Sequence, residues 1–229
     1  MLVSIIQKID IIIYYLIFYG AINMFEKLFY SNTRKPKGIL GNIMINKMNI
    51  GHAKLSDWGL SHLKNVSPVS IADLGCGGGI NVAKLINLFP DAKVTGFDYS
   101  SVSVKKSKEA NKESIKAGVC DIVQGDVSAM PFENEQFDLL TAFETVYFWP
   151  GPLTSFKEVF RVLKPGGTFM IVNEFDGISE REKKYEQLID GLKLYTNQKL
   201  TDYLKQAGFM GVILFHDEQR HWITVIAKK

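Results

Sequence analysis

Three groups of residues have the types and spacing for chemistry. The first is a glycine cluster, Gly75, Gly77, Gly78 and Gly79, preceded by Asp73 and containing Cys76. It sits between an apolar run entering from Val69 and a helix-like pattern reaching Phe89. Glycines there let the backbone turn sharply and leave no Cβ between it and a ligand. The free N–H groups at the helix start suit a carboxylate or a phosphate. The second group is Asp98 with Tyr99, at the end of the next strand-like run, Ala92–Asp98. A carboxylate there can accept hydrogen bonds from both hydroxyls of a ribose lying across the strand ends, with Tyr99 beside an adenine. The plainer role for Asp98 is a helix N-cap, which Ser100 or Ser101 can fill equally well. The third group, Glu144, Tyr147 and Trp149, follows the run Phe137–Phe143, where α/β enzymes place reacting groups. These three are candidates for contacting a second substrate. The alternative for Phe143, Phe148 and Trp149 is a place in the core.

Positioning such groups takes strands that alternate with helices. The expected strands are 69–74, 92–98, 118–126, 137–143 and 168–172, with helices over 80–89, 103–117 and 153–163 between them. A charged helix over 179–194 and a final helix over 199–207 follow. The tail has two apolar runs, Gly211–His216 and His221–Ala227, joined by a short polar link that reads as a hairpin. Ahead of the core, Met44, Ile45, Met48, Leu55, Trp58, Leu60 and Leu63 form a broken apolar stripe of one or two helices.

The glycines do not follow the G-x-G-x-x-G dinucleotide fingerprint, because Ile80 stands at its sixth position. The spacing Asp73-x-Gly75-x-Gly77-x-Gly79 resembles motif I of the class I S-adenosylmethionine (SAM)-dependent methyltransferases. Gly125-Asp126-Val127 leading to Met130-Pro131-Phe132 resembles that family's G-D-a-x-x-l-P-F pattern. Phe137-Asp138-Leu139-Leu140 resembles its F-D-x-V motif, and Arg161-Val162-Leu163-Lys164-Pro165-Gly166-Gly167 its R-v-L-K-P-G-G turn. The likeness covers about residues 67–229 and is nearest to the type 11 domains of small-molecule, ubiquinone- and menaquinone-pathway enzymes. It implies a Rossmann-like doubly wound sheet of seven strands ending in an antiparallel hairpin. It implies SAM as cofactor, held by Asp73, Gly75, Cys76, Gly77, Gly79, Asp98, Tyr99, Asp126, Val127 and Phe143. Asp126 would bond the adenine amino group and the Val127 N–H a ring nitrogen. It also implies an N-terminal helical lid, residues 1–66, over a methyltransferase domain, residues 67–229. Within the lid His52, Asp57 and Trp58 are the residues that can face a pocket, against plainer roles as a capping group, an exposed charge and a core ring. The reaction is then an in-line displacement on a small-molecule acceptor. Glu144, Tyr147 and His52 are its candidate catalytic groups. A SAM-binding module without catalysis and a nicotinamide-dependent oxidoreductase are the alternatives.

Composition narrows the field further. Two cysteines form neither a disulfide framework nor a zinc cluster, which suits a cytoplasmic setting, and no metal-ligand spacing is visible. Residues 1–66 carry eight Lys/Arg against three Asp/Glu, a net +5, so the remainder is at −2. A core that is not basic gives no support for a nucleic-acid substrate. The fifteen uncharged residues Ile11–Phe25 fall short of the ~20 that span a bilayer. They read as a helix packed on the domain or, with the basic cluster Arg34–Lys37, as peripheral membrane contact through residues 1–37. Oligomeric state is open.

Overall fold

The computed structural model describes residues 52–229. The apolar run expected to form an N-terminal helix, the basic cluster and the start of the expected lid therefore lie outside the described residues. The elements run α1 (Ala53–Leu60), β1 (Ser70–Leu74), α2 (Ile80–Leu88), β2 (Lys93–Asp98), α3 (Ser101–Ala110), α4 (Lys112–Lys116), β3 (Cys120–Gln124) and β4 (Phe137–Phe143). A 3₁₀ turn (Val146–Phe148) leads to α5 (Pro152–Val162), β5 (Leu163–Asn173), α6 (Glu180–Leu188), α7 (Asn197–Ala207), β6 (Met210–Asp217) and β7 (Trp222–Lys228).

The seven strands form one sheet in the order β3-β2-β1-β4-β5-β7-β6. Strands β1 to β5 are parallel, and β7 runs antiparallel to both β5 and β6. Side-chain alternation divides the core between the two faces. On one face Ala72, Leu74, Leu140, Phe169 and Ile171 meet Phe156 and Val159 of α5 and Leu200 and Leu204 of α7. On the other, Ile71, Val94 and Leu139 meet Val82 and Leu85 of α2 and Val104 of α3. Further along that second face Met170 and Val172 lie under Leu55 of α1. Each fully buried Leu or Phe contributes about 1.5–3 kcal/mol, so this packing fixes where the strand ends stand. The chain winds outward from β1 through β2 to β3, then returns to β4 on the other side of β1. The resulting topological switch point lies between β1 and β4, where open α/β sheets bind their ligands.

Three expected elements differ in detail. The helix expected over 103–117 breaks at Asn111, whose buried amide donates to the carbonyls of Gly79 and Ser107. The helix expected over 179–194 ends at Leu188, because Ile189, Leu192 and Tyr195 turn inward and are buried. The Lys164–Gly167 stretch lies inside strand β5 as a broad bulge, where the pairing jumps from Phe137↔Leu163 to Leu139↔Thr168. Backbone bonds from Gly166 to Lys229 and from Lys229 to Gly167 hold it to the C-terminus. No helix among the described residues is long and apolar enough to cross a membrane.

Candidate active site

The loop between β1 and α2 turns through left-handed conformations at Gly75 (φ +81°), Gly77 (φ +52°) and Gly79 (φ +82°), a region that favours glycine. A Cβ on Gly75 would come within 2.4 Å of the Thr145 methyl carbon, while at Gly77 nothing lies within 4 Å. The loop is thus pressed against the β4 exit on one side and open over Gly77. The N–H groups of Gly75 and Cys76 both donate to the Phe97 carbonyl, which ties the loop to β2. Asp98 is buried at the end of β2, accepting from the N–H of Gly77 at 2.9 Å and of Ser100 at 2.8 Å. Ser100, not Asp98, caps α3, accepting from Ser103 N–H. A carboxylate has about four acceptor sites, so Asp98 keeps capacity for ligand hydroxyls. Burial raises its carboxyl above the ordinary range, opposed by those two N–H groups.

Beneath the loop Asp73 is 1% exposed and accepts from the Thr141 hydroxyl at 2.8 Å. Burial raises its carboxyl to about 7, against the pull of that hydroxyl. Asp73 therefore supports the loop from below. The Cys76 thiol is buried, 3.8 Å from the Ser107 hydroxyl, and burial raises its pKa well above the ordinary value. Tyr99 is half-buried, and its carbonyl accepts from Gln124. Asp126 is exposed just past β3, its Oδ1 held by the N–H and hydroxyl of Ser128, and Val127 is buried behind it.

Across the switch point, Glu144 leaves β4 in a left-handed conformation (φ +60°) with its side chain turned inward. Its Oε1 accepts from the Tyr147 hydroxyl at 3.1 Å and from the Glu174 N–H just past β5. The Tyr147 hydroxyl in turn accepts from the Phe175 N–H at 3.1 Å. Helix α1 brings His52 over this group, with Nε2 3.8 Å from Glu144 Oε2 and 3.6 Å from Glu174 Oε1. Burial opposes the charged imidazole, but the Glu144 and Glu174 carboxylates outweigh it and raise His52 to about 9. Burial also raises Glu144, with the Glu174 charge adding to it and His52 opposing, to about 8. Burial and the Glu144 charge raise Tyr147 well above its ordinary value, so it remains a phenol. The Thr145 hydroxyl donates to the Leu74 carbonyl at 2.9 Å and so joins this cluster to the glycine loop.

Residues 72–171 match the model of a methyltransferase domain family. That stretch is similar to a methyltransferase domain. The chain is 31% identical over 150 residues to cycloartenol-C-24-methyltransferase 1 of Oryza sativa, covering 62% of this chain and 43% of that protein. It is 35% identical over 114 residues to demethylmenaquinone methyltransferase of Lactococcus lactis, covering 49% and 45%. The chain thus spans less than half the length of these curated relatives. The fold matches phosphoethanolamine N-methyltransferase 2 of Haemonchus contortus, solved with S-adenosyl-L-methionine, at a TM-score of 0.70 and 16% identity over 82% of this chain and 57% of that one. SAM is the cofactor of this domain family, and the cradle fits it. The open Gly77, the Asp98 carboxylate and the exposed Asp126 stand at the carboxyl ends of β1, β2 and β3, adjacent strands in the sheet.

The fold brings His52, Glu144 and Tyr147 together. It also brings in Glu174, which lies just past β5, where it and Asp176 are the two acids in sequence able to reach the pocket mouth. The other residues went to plainer roles. Trp149 is in the core, stacked near-parallel to Phe169 with centroids 6.2 Å apart. Trp58 packs on His62 and Trp222. Asp57 is a surface partner of Lys84. The Phe143 ring lies in the cluster beneath α1, leaving its backbone at the strand end. Thr141 and Thr145 carried no sequence signal, since each acts through a contact about seventy positions away.

Proposed function

We propose that this protein is a SAM-dependent methyltransferase acting on a small-molecule acceptor. The observation that carries the reading is the pairing across one switch point of an open glycine loop with a polar group built from Glu144, Glu174 and His52. SAM supplies an electrophilic methyl group on a sulfonium, a good leaving group, for in-line displacement. The chain's own part is positioning and exclusion of water. Asp98 would accept from the ribose hydroxyls and Asp126 from the adenine amino group. Asp73 with Thr141, and Thr145 with Leu74, hold the loop in shape. Glu174 and His52 are the accessible edge of the polar group, with Glu144 behind them and Tyr147 locking its orientation. A proton leaving the acceptor passes to this carboxylate pair. The aromatic group of Tyr147, Phe148, Phe175 and Tyr185 around this site supports an acceptor with an apolar body. The carboxylate-rich cluster and the core's negative balance count against nucleic acid.

The seating of α1 across β5 and β7, where it presents His52, supports a lid role for residues 1–66. The apolar run and basic cluster support peripheral membrane contact through residues 1–37, at the cytoplasmic face. Liposome co-sedimentation with and without residues 1–23 tests this, and contact requires pelleting that the truncation abolishes.

Calorimetric titration with S-adenosylhomocysteine and with NADH tests the main reading. Micromolar binding of the first alone is expected. Hydrogen bonds to a charged group contribute about 1.5–3 kcal/mol each, so Asp98→Ala should weaken binding by about tenfold or more. Binding of NADH instead overturns the reading.

A further inference from the structure

We propose that His52, Glu144 and Glu174 bind a single divalent transition-metal ion, of the Mn²⁺ or Zn²⁺ kind, at the acceptor end of the site. The evidence is geometric. Glu144 is 8% exposed, and only one of its two carboxylate oxygens is used: Oε1 takes the Tyr147 hydroxyl and the Glu174 N–H. Among the described residues no donor comes within hydrogen-bond distance of Oε2. The nearest is His52 Nε2 at 3.8 Å, and the same nitrogen stands 3.6 Å from Glu174 Oε1. These gaps are too long for hydrogen bonds. One nitrogen and one oxygen from each carboxylate nonetheless all lie within 4.8 Å of one another. That is the spread of ligand atoms around one cation with bonds of about 2.0–2.4 Å.

Charge points the same way. Two carboxylates face each other and share the single imidazole of His52, and no Lys or Arg among the described residues is paired with either. One divalent ion would balance both and would leave His52 to ligate as the neutral imidazole. One imidazole and two carboxylates suit Mn²⁺, Zn²⁺ or Fe²⁺ better than Mg²⁺, which prefers oxygen and bound water. Three protein ligands leave coordination positions open. Given the methyl-transfer reading, those positions would take an oxygen of the acceptor and lower its pKa, fixing it beside the methyl group. The ion's binding rests on the cluster alone, and only this role rests on that reading.

The test uses the full chain after chelator treatment. Mn²⁺ is titrated in and followed by loss of the free-ion EPR signal, while calorimetry follows S-adenosylhomocysteine. One Mn²⁺ per chain is expected at micromolar dissociation constant, weakened at least tenfold in His52→Ala and in Glu174→Gln. Thermal melts check that these variants remain folded, and Glu144→Gln serves as a third probe if it folds. Mn²⁺ binding that is absent, or unchanged in both variants, overturns the proposal. S-adenosylhomocysteine binding without Mn²⁺ binding discards the metal site and keeps the methyltransferase reading. Mn²⁺ binding without S-adenosylhomocysteine binding does the reverse.

Discussion

At Asp176, His216 Nε2 and His221 Nδ1 lie 2.9 Å and 3.0 Å from a single carboxylate oxygen. At Glu144 the one imidazole stands off by 3.8 Å. Both clusters lie just past the carboxyl ends of strands, and both bury a carboxylate near histidine. In the first, Asp176 Oδ1 also accepts from the Ile178 N–H, and nearby Glu182 accepts from Gly177. Every oxygen of Asp176 is used, and the cluster staples the segment after β5 to the β6–β7 hairpin. In the second, the hydrogen bonds fix Glu144 from one side and leave the other oxygen facing a gap. A satisfied network reads as structure. One that is held in place yet incomplete reads as a site.

The difference predicts opposite responses to mutation. The largest effect is expected for Glu144→Gln and Glu174→Gln, which should slow methyl transfer by about 100-fold, measured as S-adenosylhomocysteine formation with an acceptor from a screen. Glu174→Gln should change stability by no more than about 0.5 kcal/mol. Next, Asp176→Ala should cost about 1.5–3 kcal/mol in urea unfolding, since it removes hydrogen bonds to a buried charged acceptor. Its rate per folded molecule should stay within about twofold. A variant that unfolds nothing and halts turnover would place Asp176 in the site and erase the contrast.

The pH dependence of stability sharpens the same point. Burial pushes the Asp176 carboxyl up, but bonds from His221, the Ile178 N–H and His216 outweigh it and hold it below the usual range. Glu182, the other acid facing it, is raised by burial and then by the Asp176 charge. A depressed carboxylate adds stability above its unfolded pKa and loses it as pH falls through the folded value. The stability gap between wild type and Asp176→Ala should therefore hold at neutral pH and shrink below about pH 4. A constant gap down to pH 2 would mean the cluster acts by shape and not by charge. The smallest effect is expected for Asp57→Ala. Its partner Lys84 sits on α2, and the Asp57 side chain is 68% exposed. Loss should stay under about 0.5 kcal/mol, and a larger one would mean α1, and with it His52, is seated by charge and not by Leu55.

Much of this was legible in the chain because it is local. The glycine run, the apolar alternation of the strands and the acids ending β2 and β3 are each set within a few residues by backbone freedom and periodicity. Strand β4 matches its expected bounds, 137–143. Helix ends were harder, because Asn111 and Ile189 answer to partners that only packing supplies.

By itself, the sequence determined a doubly wound sheet, a glycine cradle at its first turn and an acid at the end of each neighbouring strand. Only the tertiary structure decided which polar residues meet. Glu144 and Glu174 are 30 positions apart, and His52 lies far upstream of both. They meet because β4 and β5 pair in parallel and α1 packs across β5. Asp176, two residues beyond Glu174, belongs to the other cluster. No periodicity tells those two carboxylates apart. The direction in which the chain leaves β5 does.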